Sequence, residues 1–457
     1  MEEYEFNIED DLRQFKINER RILFALKLSF FEDILGYSLI FPLLSPVARS
    51  LGSSDFFIGI MIATNALATL IFSPMWGKLS DKFGRKPFLI VSQFGTLAAF
   101  TLFAFSNSLE MIFFTRILDG VFGGQMTIIS SIISDVTDPD TRSLKMADLM
   151  AINSLGLILG PLMGGVLGEI SKLLINPNGI FISSALALPG YAAAGITVVA
   201  IILTFAVLKE TMPKERREEL AKRKEIQVKL RQTKSKLFTK EFFLRLLELF
   251  SQSIGMMMVF SSMSLILLDR YLLSEGFIGV LYAIIGVEMM FISRYGIRFL
   301  LRKFGDTKLL IFFTLIMVFV FLAFPFLYNV WLMIIFSGPL ILSMAILRPI
   351  LTANTQKAAP PDRQGVASGW RVNTYAIASV IAPLVSTAFL DLQIGKQYFL
   401  GVKFAYYFMA LASSFTLFIM YCLVKYDIKN FSSSFRNRTG FEGNSSKSKR
   451  FSGEDQI

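Results

Sequence analysis

The chain contains no histidine and a single cysteine, Cys422. The first absence removes the commonest metal ligand and the side chain that most readily carries protons near neutrality. The second excludes an intramolecular disulfide. Any proton chemistry must therefore run on carboxylates. Charge is also scarce: 18% of 457 residues are charged against 53% hydrophobic, with a mean hydropathy of +0.56. A soluble protein this apolar would expose large adhesive patches, so the composition reads as a polytopic helical membrane protein. There is no phosphate-binding glycine loop ending in Lys-Ser/Thr, hence no sign of ATP drive. With no metal or nucleophile constellation, an enzyme is not expected. Residues 1–21 are acidic and polar, and the first apolar run is too long for a signal core, so a cleavable leader is not expected.

What the chain does have is apolar runs near the ~20 residues a helix needs to cross hydrocarbon. They fall at 22–44, 56–76, 87–106, 109–134, 145–168, 186–208, 244–268, 277–300, 307–328, 330–352, 365–390 and 398–424. Phe (46) and Met (20) supply lipid-facing bulk and adaptable surface. Loops on one side carry Lys78, Lys82, Arg85, Lys86, Arg142, Lys145, Arg302, Lys303, Lys308, Lys357 and Arg363. The other side holds little beyond Arg49, Lys172, Arg270 and Lys396. The positive-inside bias therefore places both termini in the cytoplasm, where the sequons at Asn437 and Asn444 would stay unmodified. Lys209–Lys240 holds twelve Lys/Arg against five Glu, a net of +7. Lacking interleaved aromatics and lying between spans, it reads as a linker near anionic headgroups and not as a nucleic-acid site.

The halves repeat. Lys82-Phe83-Gly84 returns as Lys303-Phe304-Gly305, Asp140-Thr141-Arg142 has its counterpart in Pro361-Asp362-Arg363, and Gly160-Pro161-Leu162 in Ala382-Pro383-Leu384. The common spacing implies a duplicated six-helix unit with a substrate site between the copies. The expected order is a tail at 1–21, a bundle at 22–208, the linker at 209–243, a second bundle at 244–424 and a tail at 425–457. Both tails read as disordered.

Four elements carry chemistry. Gly77-Lys78-Leu79-Ser80-Asp81-Lys82-Phe83-Gly84-Arg85-Lys86 is a turn too short to hold a domain. Its glycines let two helices reverse with little bulk. Asp81 can accept hydrogen bonds at a helix N-terminus, and Arg85 can pair with Asp135 at the end of the fourth span. In the fifth span, Gly156, Gly160, Pro161, Gly164 and Gly165 form a small-residue face that lets backbones approach. Arg116 and Asp119 lie one turn apart in the fourth span, before Gly120. The first span carries Phe31-Glu32-Asp33-Ile34-Leu35-Gly36-Tyr37 and then Phe41-Pro42-Leu43-Leu44-Ser45-Pro46. Asp33 lies about halfway along it, where a carboxylate costs about 3 kcal/mol or more and is kept mainly to face a cavity or partner. Glu32 is either a second acid or a partner for Lys27 or Arg116. Glu288, in the eighth span, either titrates or pairs with Arg294 or another cation. Arg348 and Arg371 either anchor an anionic cargo or snorkel.

The turn resembles the loop between the second and third spans of major facilitator superfamily transporters, with Ser80 for the family's Ala and Lys82 for its frequent Arg. The fifth-span pattern resembles the antiporter motif of the drug:H+ exporters. Arg116 to Gly120 is similar to the family's Arg-x-x-x-Gly element, with Asp119 where Gln is common. The first span, Leu188-Pro189-Gly190-Tyr191 with Lys209-Glu210-Thr211, and Gln364-Gly365-x-x-x-Gly369 are similar to parts of the tetracycline and multidrug exporters. The resemblance implies an all-α membrane protein of twelve transmembrane helices in two pseudo-symmetric bundles. It implies a monomer in the plasma membrane that moves a small-molecule substrate against protons by alternating access, with no cofactor and no nucleic acid. Glu32, Asp33, Arg116, Asp119 and Glu288 would couple proton and amphipathic, cationic or zwitterionic cargo. Gly77, Asp81, Gly84, Arg85, Lys86 and Asp135 would form the cytoplasmic gate. A facilitator or symporter of a sugar, amino acid or organic acid, and a membrane sensor or scaffold, are the rival readings.

Overall fold

The computed structural model describes residues 2–137, 139–175, 184–212, 237–360, 363–392 and 398–439. Most of the basic linker, the end of the C-terminal tail with Asn444, and Asp362 and Lys396 lie outside the described residues, as do the side chains of Arg142, Arg294 and Asn437. Among the described residues the secondary structure is helical, without strands.

Among the described residues, ten helices are long and apolar enough to cross a membrane: Asp55–Phe83, Arg85–Ala104, Leu109–Val136, Ser154–Leu173, Ala187–Val207, Lys240–Tyr271, Asp306–Phe326, Val330–Lys357, Gln364–Asp391 and Gly401–Lys425. Two more complete the twelve, and each departs from an ideal span for a visible reason. The first span is the helix Glu2–Leu39 continued by Phe41–Ser50. Its apolar stretch carries Lys27, Glu32 and Asp33, and Pro42 at the start of the second piece breaks the ladder. The eighth is Glu275–Phe291, a π-helical turn at Ile292–Gly296, and Ile297–Phe304.

The ends of the first and last spans differ from the sequence reading. Helix begins at Glu2 and continues to Thr439, where disordered tails were expected. A span already nucleated extends cheaply into neighbouring helix-forming residues, because only propagation remains.

Turn chemistry repeats between the two halves. At one face, helices stop on glycines in the left-handed half of backbone space: Gly84 at φ 117° after the second span and Gly305 at φ 76° after the eighth. These are the glycines of the repeated Lys-Phe-Gly triplet, so the duplication seen in sequence is a duplication of turn geometry. This face, which carries the Lys/Arg-rich turns, is called the basic face below. At the opposite face, helices start on side-chain caps: Ser54, Ser108, Ser274 and Asn329 each accept a hydrogen bond from a main-chain N–H two or three residues on.

The halves meet along two helix pairs, the second span against the eleventh and the fifth against the eighth. Their ionic ties cluster at the face opposite the basic turns. Arg49 is held by Asp55 at 2.6 Å and reaches across to Asp269, and Lys172 pairs with Glu275. The Gly276 N–H donates to Glu169 Oε1 at 3.3 Å. Towards the basic face the eleventh span looks onto open space. A Cβ added at Gly365 or Gly369 would meet nothing within 4 Å. The described ties between the halves thus lie at the far face, and the space between the halves towards the basic face is called the cleft below.

Candidate functional site

The turn at 77–86 forms one compact cluster within the first half. Arg85, buried, reaches Asp81 Oδ1 at 2.5 Å and Asp135 Oδ2 at 3.1 Å, and donates to Ser80 Oγ at 2.9 Å. Ser80, standing where the family has Ala, adds that acceptor and donates onward to Gly77 O at 2.9 Å. The sequence reading gave the helix N-terminus to Asp81. The structure gives it to Glu210, whose carboxylate accepts from the main-chain N–H groups of Arg85, Lys86 and Met212 at 2.9, 3.1 and 2.8 Å. Asp81, four residues before Arg85, lies closer to the guanidinium than to those amides, so charge pairing takes it instead. Gly84 is needed twice over, for its φ and because a Cβ would stand 2.7 Å from Glu210 Oε2. Lys86 Nζ donates to Phe205 O at 2.7 Å, closing the end of the sixth span.

Deeper in the first half, the fourth span is broken at Gly123–Gly124 between Leu109–Phe122 and Gln125–Val136. In a bilayer the carbonyls freed by such a break need new donors. Trp76 Nε1 donates to Val121 O at 2.6 Å and Ser92 Oγ to Phe122 O at 2.5 Å. The break places Gln125 at the head of a new helix, facing the first span. Its Nε2 donates to Asp33 Oδ1 and to Thr96 Oγ1, both at 3.4 Å, and its Oε1 is left without a partner. Asp33 is half-buried, turned towards the bundle and not to lipid. Glu32 is 1% exposed; its carboxylate makes no close hydrogen bond, and the polar groups beside it are the neutral side chains of Thr197 and Gln125.

The alternatives left open for Glu32 are thereby resolved. Lys27 pairs with Asp148 at 3.3 Å and Arg116 with Asp119 at 3.5 Å, so neither cation serves Glu32. Arg116 is 3% exposed, lies 4.9 Å from the Phe103 ring centroid, and keeps Nε and Nη2 unpartnered. Asn65 holds this pair, donating to Asp119 Oδ2 and to Arg116 O at 3.0 Å each. Glu32, Asp33 and Asp119 lie within electrostatic reach of one another.

Sequence reasoning missed Gln125, Asn65 and Glu210. A Gly-Gly pair ahead of a glutamine inside an apolar run, and an amide nearly three turns into a span, were the available signals. It also missed Glu248 in the seventh span, buried against Arg245 at 3.2 Å. Glu288 is half-buried with no ion pair among the described residues; its closest described approach is to Gly338, where a Cβ would lie 3.9 Å from Oε1.

The fifth-span motif has two faces. Cβ atoms at Gly156, Gly160 and Gly164 would press on the first span, 2.8 Å from Ile34 Cγ2, 2.9 Å from Leu35 O and 2.9 Å from the Leu39 carbonyl carbon. Pro161 and Gly165 face the eighth span, where the Gly165 Cβ would lie 2.7 Å from Glu275 O. One helix therefore touches both the acid-bearing span and the opposite half.

Two repeated helical halves meet along paired helices, with carboxylates and an arginine buried in the first of them. A family model for the Major Facilitator Superfamily matches residues 28–383, and the chain belongs to that superfamily. It is 38% identical over 157 residues to the class B tetracycline resistance protein of Escherichia coli, a match covering 34% of this chain and 38% of that protein. The tetracycline resistance and efflux relatives that match most strongly are each spanned over only about a third to a half of their length. The quinolone resistance protein NorA of Staphylococcus aureus (strain MSSA476) is 23% identical over 381 residues, covering 83% of this chain and 92% of NorA. Among solved structures, the human organic anion transporter MFSD10 (TETRAN) matches with a TM-score of 0.61 at 19% identity, covering 88% of this chain and 99% of that one. A bacterial homologue of the human lysosomal transporter Spinster matches with a TM-score of 0.68 at 14% identity, covering 89% and 98%. These structural likenesses concern the fold.

Proposed function

We propose that the chain is a proton-driven exporter of amphipathic, drug-like small molecules in the plasma membrane. It acts as a monomer by alternating access, without a cofactor, and the basic face is cytoplasmic. The observation that carries this reading is Glu32, an acid buried in a membrane span with no cation paired to it and only the neutral Thr197 and Gln125 side chains as polar neighbours. An ion kept that way is very costly, and a proton is the simplest remedy. Asp33 beside it has an adaptable partner, since the Gln125 amide can donate to a carboxylate or accept from a carboxylic acid.

Protons arriving from outside would neutralise Asp33 and Glu32 and weaken the hold on cargo, and their release inward would reset the carrier. One charge moving through 100 mV supplies about 2.3 kcal/mol, a roughly fortyfold gradient for a neutral cargo. The drug-export names of the relatives support the direction of transport, as does the antiporter-like fifth span. In proteoliposomes, Asp33→Asn is expected to abolish exchange driven by a pH gradient while the protein remains folded; undiminished exchange refutes the assignment. Reporter fusions after residues 225 and 430 should both read as cytoplasmic.

A further inference from the structure

The wall of the cleft opposite the acids is built from cations. Arg348 of the tenth span lies with its Cζ 4.4 Å from the ring centroid of Tyr375, near the middle of the eleventh span. Arg371, one turn nearer the basic face, stands within electrostatic reach of Arg348. Its only described hydrogen bond runs from Nη2 to Ser368 Oγ at 3.2 Å. Among the described residues neither arginine pairs with a carboxylate. Two guanidinium groups brought together in a membrane span repel one another, and no carboxylate among the described residues neutralises them. A snorkelling arginine would run out to the headgroups, whereas Arg348 lies over an aromatic ring inside the span.

Tyr375 places this pair in the central cleft. It lies within electrostatic reach of Tyr37 on the first span, which is 37% exposed and also neighbours Asp119 and Arg116. The two tyrosines therefore lie near one another on opposite halves, Tyr37 beside Asp119 and Arg116 and Tyr375 beneath Arg348. On the approach from the basic face, the open space beside Gly365 and Gly369 leaves the eleventh span uncovered.

We infer that Arg348 and Arg371 form an anion subsite that takes the carboxylate of an amphipathic zwitterion, with Tyr375 as the platform that fixes the Arg348 guanidinium. Planar guanidinium groups match a carboxylate in geometry as well as charge. The cationic or polar end of the same molecule then faces Asp33 on the first span, so the cargo touches both halves at once. This inference rests on the reading of the central cleft as the drug site.

The test uses the full-length protein in detergent micelles and two probes, norfloxacin with its free carboxylate and the methyl ester of norfloxacin. Binding is followed by fluorescence anisotropy. The intact protein should bind the acid about tenfold more tightly than the ester. In Arg348→Gln/Arg371→Gln the two probes should bind equally, at the affinity the intact protein has for the ester, while Arg348→Lys/Arg371→Lys keeps part of the preference. Equal binding of acid and ester to the intact protein overturns the anion subsite and leaves drug export standing. A preference that survives in the glutamine variant overturns it too. Loss of ester binding in that variant marks the arginines as structural and also overturns it. Failure of the intact protein to bind either probe overturns the subsite and the drug-exporter reading together.

Discussion

Gly59 of the second span lies directly against the main-chain carbonyl of Pro383 in the eleventh: a Cβ on Gly59 would stand 2.8 Å from that oxygen. The duplicated unit makes the same contact again, with Gly279 of the eighth span seated on Pro161 O of the fifth and a Cβ there 3.1 Å from Gly165 Cα. In both places backbone meets backbone, and the glycine's missing side chain is what lets the two helices come that close. Gly59→Val or Gly279→Val puts bulk into a backbone contact that cannot recede, at a cost of about 1–3 kcal/mol to this arrangement of the halves. Labelling of Val366→Cys by a membrane-impermeant maleimide, in a Cys422→Ser background, reads how far the basic face is open; Val366 is 48% exposed here. Either valine variant should lower that labelling about fivefold or more and slow transport. Unchanged labelling would show that these contacts do not set the conformation.

The ionic ties at the opposite face should bias the same equilibrium. Arg49 holds Asp55 within its own half and Asp269 in the other, so the two acids can be separated by mutation. Asp269→Asn cuts the bond between halves and should reduce Val366→Cys labelling, whereas Asp55→Asn leaves that bond in place and should change it less. A double-mutant cycle of Arg49→Gln with Asp269→Asn is expected to give a coupling of about 1 kcal/mol, shrinking as salt is raised because the pair is only half-buried. Equal effects of the two acid variants would remove the clamp from the mechanism.

Glu210 offers a purely structural prediction. Its carboxylate answers three main-chain N–H groups at the start of the third span and the end of the sixth. Glu210→Ala leaves those donors uncapped and removes a negative charge from a helix N-terminus, costing about 1–2 kcal/mol. Thermal unfolding in detergent should show a lower midpoint for Glu210→Ala, and lower again for Gly84→Ala, whose backbone sits at φ 117°. Norfloxacin affinity in the surviving folded fraction should not change. A fall in affinity with an unchanged midpoint would mean the turn touches cargo.

Much of this was legible in the sequence because a bilayer leaves few options. A run of about twenty apolar residues must be a helix, and twelve such runs with a repeated Lys-Phe-Gly turn must fold as two related bundles. The Arg85–Asp135 pair was likewise readable, because both residues belong to short charged turns at the same face. What could not be read was partner choice among neighbours of equal rank. Asp81 and Glu210 both offer a carboxylate near the third span, and only three-dimensional reach decides which meets the amides. The inter-half contacts escaped for a different reason: Gly59 and Gly279 look like any glycine in a span until the proline opposite is seen. Gln125 was hidden by its context, since the break at Gly123–Gly124 that aims it at Asp33 interrupts what reads as one continuous apolar run.

The two buried acids of the first half should respond to neutralisation in opposite ways. Glu32 has no cation and only the neutral Thr197 and Gln125 side chains beside it, so Glu32→Gln removes a charge the fold does not compensate and should leave the thermal midpoint level or raised. Asp119 is already committed to Asn65 at 3.0 Å and Arg116 at 3.5 Å. Asp119→Asn strips the only described acid from an arginine whose Nε and Nη2 are unpartnered, and breaking a buried pair from one side costs about 3–5 kcal/mol. Its midpoint should fall by several degrees. Transport separates them again: Glu32→Gln should keep energy-independent exchange of norfloxacin but lose the response to a pH gradient, because the site then has one titrating acid fewer. Asp119→Asn should lose both in proportion to folded protein. If Glu32→Gln proves as destabilising as Asp119→Asn, the Glu32 carboxylate has a partner in the membrane that this arrangement does not contain, and the proton assignment passes to Asp33 alone.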